Sequence, residues 1–130
     1  MGFFGLFKKK KALTTEEKLN KMWDMWANGE LKTPCAKLMT YESEVNNGGH
    51  SQYFFNVANC GDLKAEVEAV LPMLPEPLRE NLRRGYAAFS TQQDMADDIN
   101  DQVFEKCDDV FYEHEQLLID ILYEAAKNMQ

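Results

Sequence analysis

Residues 46–56 read NNGGHSQYFFN, and what this run does to the backbone decides the fold. On its N-terminal side, Cys35, Leu38, Met39 and Val45 recur at helical spacing. On its C-terminal side, Tyr53, Phe54 and Phe55 begin a second helical pattern. A phosphate-binding loop needs a preceding strand and a GxxxxGKS/T or GxGxxG pattern. Here the predecessor is helical, the glycines are adjacent and no lysine follows. Gly48-Gly49 therefore reads as a sharp bend between two helices, because glycine takes positive φ without a steric penalty. Asn46 and Asn47 tolerate the same region and bond to nearby backbone. Gln52 and Asn56, four apart on one helical face, are placed to satisfy backbone groups freed by the bend. His50 reads as a partly exposed residue that keeps one ring edge in water.

The rest of the chain is helical in pattern, with no alternating run of strand length. Thr14 or Thr15 caps a first helix, with Glu16 and Glu17 in its opening turn. Leu19, Met22, Trp23 and Trp26 share its inner face, and Asn28-Gly29 ends it. Thr33-Pro34 supplies an N-cap and a first-turn proline for the next. Asp62 caps a helix that turns Leu63, Val67, Val70 and Leu71 inward; Pro72, Pro75 and Pro77 then break the run. Leu78, Leu82, Tyr86 and Phe89 line a further helix. The longest one starts at about Asp94 or Asp101, with the seam Phe104, Cys107, Phe111, His114, Leu118, Ile121 and Ala125. The expected fold is all-α: a single-domain bundle of five or six helices over residues 14–130, with a long C-terminal helix. A chain of 130 residues that is 45% hydrophobic fits one such domain and not two.

Charge is unevenly spread. The first eleven residues, MGFFGLFKKKK, hold four lysines and no acid; the remainder holds ten basic against 22 acidic side chains, net −12. Such a body repels nucleic acid and attracts basic proteins, so no direct nucleic-acid binding is expected. Cys35, Cys60 and Cys107 are odd in number and form no CxxC pair, which fits a reducing, cytoplasmic setting. No run approaches the roughly 20 apolar residues needed to span a bilayer. The tip, residues 1–13, is a different case. A secretory signal puts its positive charge before a longer apolar run. Myristoylation of Gly2 wants Ser or Thr at position 6, which is Leu6. Phe3, Phe4 and Phe7 beside Lys8, Lys9, Lys10 and Lys11 instead suit a weak, reversible contact with an anionic membrane surface, at the inner face of the membrane. A small terminal helix packed back onto the domain is the other reading.

The stretch from Tyr41 to Asn56 resembles the signature of the DMP-type family of DNA-mimic proteins, bacterial all-helical domains known mainly as a domain of unknown function. Glu44, Val45, Asn46, Asn47, Gly48, Gly49, Gln52, Tyr53, Phe54 and Asn56 match its pattern E-V-N-N-G-G-apolar-x-Q-aromatic-Phe-x-N. His50 stands where that pattern has an apolar residue. LPEPLRENLRRGYAAF and FEKCDDVFYEHE are similar to later helices of the family, so the likeness covers roughly residues 15–125. It implies a protein that displays carboxylates in place of DNA phosphates and so occupies a DNA-binding protein. Glu44, Asn46, Asn47, Gly48, Gly49, Gln52, Phe54 and Asn56 are then structural, and the mimicking acids must be sought elsewhere.

Seven acids lie between positions 94 and 109: Asp94, Asp97, Asp98, Asp101, Glu105, Asp108 and Asp109. On one helix they would span roughly 22 Å, about one per 3 Å, against about 3.4 Å per charge along one DNA strand. Asp94, Asp98, Asp101, Glu105 and Asp108 follow a three–four rhythm and share a face. A second row, as duplex DNA has, could come from a homodimer. The alternative is the ordinary wet side of an amphipathic helix, interrupted by Lys106. No metal or other cofactor is expected: neither His50 nor His114 has an acid three residues before it, as a di-metal bundle site wants, and no short Cys/His spacing suits zinc. No catalytic residue is expected either, since Cys35 and Cys107 sit on apolar seams. The expectation is a non-enzymatic acidic domain that engages a basic protein through these seven acids. An immunity or antitoxin-like inhibitor of a basic nuclease, and a peripheral membrane adaptor, are the competing functions.

Overall fold

Helix starts in this protein are written in its short polar side chains. The computed structural model describes residues 12–91 and 98–129. Thr14 accepts from the Glu17 backbone N–H at 3.1 Å, and Glu17 accepts from the Thr14 N–H at 2.9 Å. This reciprocal box opens helix α1, Thr15–Ala27. The backbone hydrogen bond from Thr14 holds the Glu17 carboxyl below its ordinary range. Gly29, at φ +72°, follows its end. Asp62 caps α3, Leu63–Val70, by accepting from the Ala65 N–H at 3.1 Å.

Between them runs α2, Cys35–Cys60, with non-helical dihedrals at Gly48 and Gly49. The bend expected at the glycines is present: α2 consists of two helical limbs, 35–47 and 50–60, that meet at this kink. Thr33 makes no side-chain cap. Pro34 already has helical dihedrals, and the Thr33 carbonyl accepts from the Ala36 N–H at 3.0 Å. A 3-10 turn, Leu71–Met73, marks the proline-rich break before α4, Leu78–Thr91; α5, Asp98–Lys127, completes the chain. Five α-helices thus form an all-α domain, with no strand among the described residues.

Helix α5 packs against α1, α2 and α4 and forms the centre of the bundle. The largest fully buried side chains include Tyr41, Tyr53 and Phe54 from α2, Leu78 and Leu82 from α4, and Phe111 from α5. Each buried Leu or Phe contributes about 1.5–3 kcal/mol relative to exposure, which makes this the main stabilising cluster. At Gly85 a Cβ would lie 3.1 Å from the Phe54 ring, so α4 approaches the core closely only with glycine there. Asn81 and Cys107 clasp α4 to α5: the amide donates to the Cys107 carbonyl at 2.8 Å and the thiol to the Asn81 carbonyl at 3.6 Å. Burial pushes the Cys107 thiol up to about 11, so it stays protonated.

The seam of α5 departs from the expected line at its C-terminal end. Leu122 and Ala126 are buried, whereas Ile121 and Ala125 are only half-buried. A straight helix turns 3.6 residues at a time, so an inward stripe drifts away from a strict seven-residue repeat after three turns. His114 is likewise half-buried, on the flank of the stripe.

Candidate functional site

Two features of α5 meet the expected functional residues: its inner face at the α2 elbow, and its outer acidic face. At the elbow Gly48 has φ −156° and ψ 18°, and Gly49 has φ +81° and ψ −179°. Only Gly49 lies in the left-handed region, and a Cβ there would also overlap the Asp108 carboxylate. Asp108 accepts from the His50 backbone N–H at 2.8 Å, and the same oxygen lies 2.7 Å from His50 Nδ1. An acid from α5 thus caps the second limb of α2 where its first N–H groups would otherwise lack partners.

His50 itself is 0% exposed, which corrects the expectation of a partly wet residue. Its burial is tolerated because both ring nitrogens are partnered. The Tyr41 hydroxyl lies 2.7 Å from Nε2 while Asp108 takes Nδ1. The rings of Tyr41, Phe54 and Phe111 surround it, with centroids 5.5, 6.0 and 5.9 Å away. Burial raises the Tyr41 hydroxyl well above its ordinary range, which keeps it a donor. A substrate has no access to this imidazole.

The amides brace the same elbow. Glu44 Oε2 accepts from Asn56 at 2.7 Å and, more weakly, from Gln52 at 3.4 Å. Gln52 and Asn56 therefore bridge the limbs through a carboxylate, where the sequence suggested backbone partners. Asn46 donates to the Glu42 carbonyl at 2.9 Å, to Glu42 Oε1 at 2.6 Å and to Glu115 Oε2 on α5 at 2.8 Å. Asn47 is exposed, and Phe54 lies in the core. Glu42 Oε2 is buried and meets no group other than the neighbouring Glu115 carboxylate. Burial first, then the hydrogen bond to Glu115 and its charge, push the Glu42 carboxyl up to about 8 against the opposing pull of Asn46. At neutral pH it keeps its proton.

On the outer face, Asp101, Glu105 and Asp109 are exposed and make no ion pair among the described residues. They follow one another by one helical turn, about 6 Å along the axis. Asp108, assigned to the same row by its spacing, is turned to His50 instead. The described row is therefore about half as dense as the count of seven acids suggests. Asp98 opens α5, but its side chain lies outside the described residues, as do Asp94 and Asp97. Phe3, Phe4, Phe7 and Lys8, Lys9, Lys10 and Lys11 of the tip also lie outside them. Beyond Asp109 the face continues with Tyr112 and Tyr123, 49% and 44% exposed.

Sequence reading did not anticipate Tyr41, Glu42, Tyr112 and Glu115 at the elbow. Asp108 and Glu115 carried a usable signal: both fall on the inward stripe with Phe104, Phe111 and Leu118, where a carboxylate requires a polar partner across the interface. Elsewhere, a cleft of about 250 Å³ opens beside α3, lined by Thr40, Glu44, Asn56, Cys60, Asp62 and Glu66. Glu66 there pairs with Lys37. Among the described residues no group of three or more His, Cys, Asp or Glu side chains is arranged to hold a metal, and no helix is long and apolar enough to cross a membrane.

These features define an all-helical domain in which a glycine elbow is locked onto a long helix with an acidic outer face. The chain belongs to the DMP19-like protein family, whose model matches residues 36–128, from the first turn of α2 to the end of α5. No curated protein and no solved structure matches it.

Proposed function

We propose that this protein is a non-enzymatic interaction domain that occupies a basic, DNA-binding protein through the outer face of α5. The observation that carries the reading is the exposed row of Asp101, Glu105 and Asp109, unpaired among the described residues, on a helix fixed along its inner side. A carboxylate row on a rigid rod can stand in for phosphates only if its spacing survives contact, and the Asp108–His50 and Asn81–Cys107 clasps supply that rigidity. Membership of the DMP19-like family supports the same reading. Asp94, Asp97 and Asp98, which the sequence assigns to the same row, lie outside the described side chains.

The test is affinity capture with the full chain, followed by competition. A basic DNA-binding protein should be retained, and duplex DNA should displace it. The triple variant Asp101→Asn, Glu105→Gln, Asp109→Asn should lose most of that capture at low salt. Unchanged capture by the triple variant rejects this face as the contact. Retention of a nuclease that DNA also displaces would point to the inhibitor function.

A further inference from the structure

We propose that Tyr112, with Asp109 and Glu115, forms a receiving site for an arginine side chain of the basic partner. The inference rests on the interaction reading above and deepens it, by naming the partner group and the place where it docks.

Three observations meet at this residue. Tyr112 is 49% exposed, yet it is not free to swing: its hydroxyl donates to the Val45 carbonyl of α2 at 3.1 Å, and its ring meets Phe111 edge-on at 5.5 Å. A half-open aromatic ring held at both ends is a prepared platform that loses little side-chain entropy on contact. Next, its helical neighbours three and four residues away are Asp108, Asp109, Glu115 and Gln116, so three of the four are acids. Asp108 is committed to His50, but Asp109 is exposed and Glu115, half-buried, has only the Asn46 amide and the neutral Glu42 carboxyl as partners. Finally, Glu42, only 7% exposed, is buried beside Glu115, with Oε2 reaching no group but that carboxylate. Glu42 keeps its proton, so the negative charge at this spot rests on Asp109 and Glu115, and no lysine or arginine pairs with either among the described residues.

Guanidinium answers each feature. Its plane stacks on an aromatic face while its N–H fork reaches carboxylates on either side, which a lysine ammonium cannot do at once. A second copy of this chain is disfavoured as occupant, because the chain carries net charge −8. A pure phosphate mimic would need no ring. Tyr112 would give the acidic face a preference between basic residues.

The full chain is titrated at low salt with acetylated, amidated tetra-arginine, tetra-lysine and tetra-citrulline peptides, by calorimetry and by chemical shifts of the Tyr112 ring. Tetra-arginine should bind about twofold to fivefold more tightly than tetra-lysine, the size of an exposed cation–π contact. Tetra-citrulline should not bind. Tyr112→Leu should abolish the arginine preference, and Glu115→Gln should weaken arginine more than lysine. Tyr112→Phe, which keeps the ring, should retain the preference, as should Tyr123→Leu three turns away. Circular dichroism checks that each variant is folded. If both peptides bind equally, or the preference survives Tyr112→Leu, this site is overturned while the acidic-face reading stands. If neither peptide binds, both are overturned.

Discussion

Replacing Gly49 with alanine isolates what the elbow demands of its backbone. Gly49 sits at φ +81° and ψ −179°, a region that is essentially glycine-only and costs other residues about 1–3 kcal/mol. The added Cβ also meets the Asp108 carboxylate, which must leave. Its departure forfeits the charged hydrogen bonds to the His50 N–H and ring, about 1.5–3 kcal/mol for such a contact. Together Gly49→Ala should cost about 3–5 kcal/mol. With a urea slope of about 2 kcal/mol per molar for a domain of this size, the unfolding midpoint should fall by about 2 M. Gly48→Ala is the internal control. Its φ of −156° is outside the left-handed region, and the new Cβ meets the Gln52 side chain, which can swing away by giving up its weak bond to Glu44, so the loss should stay at about 1–2 kcal/mol. A double-mutant cycle with Asp108→Ala should show positive coupling, since removing the carboxylate removes the collision. Equal effects at the two glycines, or a Gly49→Ala cost below about 1 kcal/mol, would refute the assignment of strain and clash to this one residue.

Further outcomes follow from the same geometry. Glu42 keeps its proton to about pH 8 in the folded protein, against an ordinary value of 4.5. Its contribution to stability is therefore complete below the unfolded value and is lost as pH rises through about 8; Glu42→Gln should remove this part of the decline. Urea melts of both proteins at several pH values across that window test this, and parallel curves would contradict it. Asn81→Leu should destabilise by about 1–3 kcal/mol by removing the buried amide's bond to the Cys107 carbonyl and forcing a larger apolar side chain into the α4–α5 clasp, seen as a lower melting temperature. In the native protein an alkylating reagent should label exposed Cys60 quickly and buried Cys107 only on unfolding, as read by mass spectrometry of peptides.

The parts of this fold that a reader of the sequence can recover are those governed by local chemistry. Thr14 with Glu17, Asp62, and the paired glycines each announce themselves within four residues, because caps and bends are made by neighbours. His50 and Asp108 illustrate the opposite case. The imidazole is buried because Tyr41 and Asp108 reach it from 9 and 58 positions away. Tyr53 and Phe54, three and four residues on, put His50 on the inward face, but nothing within one turn supplies the partners that make its burial tolerable. Asp108 was readable in part. Its three–four spacing suits the acidic row with Asp101 and Glu105, but equally the inward stripe with Phe104 and Phe111. A periodicity that admits both faces is settled only by what stands across the interface, and His50 settles it. The acidic face was legible as charge, whereas its true density was not, since counting carboxylates does not say which of them are already engaged.

The placement of α5 has a mechanical consequence. One side of this rod is wedged among α1, α2 and α4, and the other side is open to a visitor. Bending it to suit a partner would pry apart the hydrophobic interior along much of its length. Any macromolecule that settles there must do the adjusting itself, by reshaping its own loops or side chains around an unyielding template.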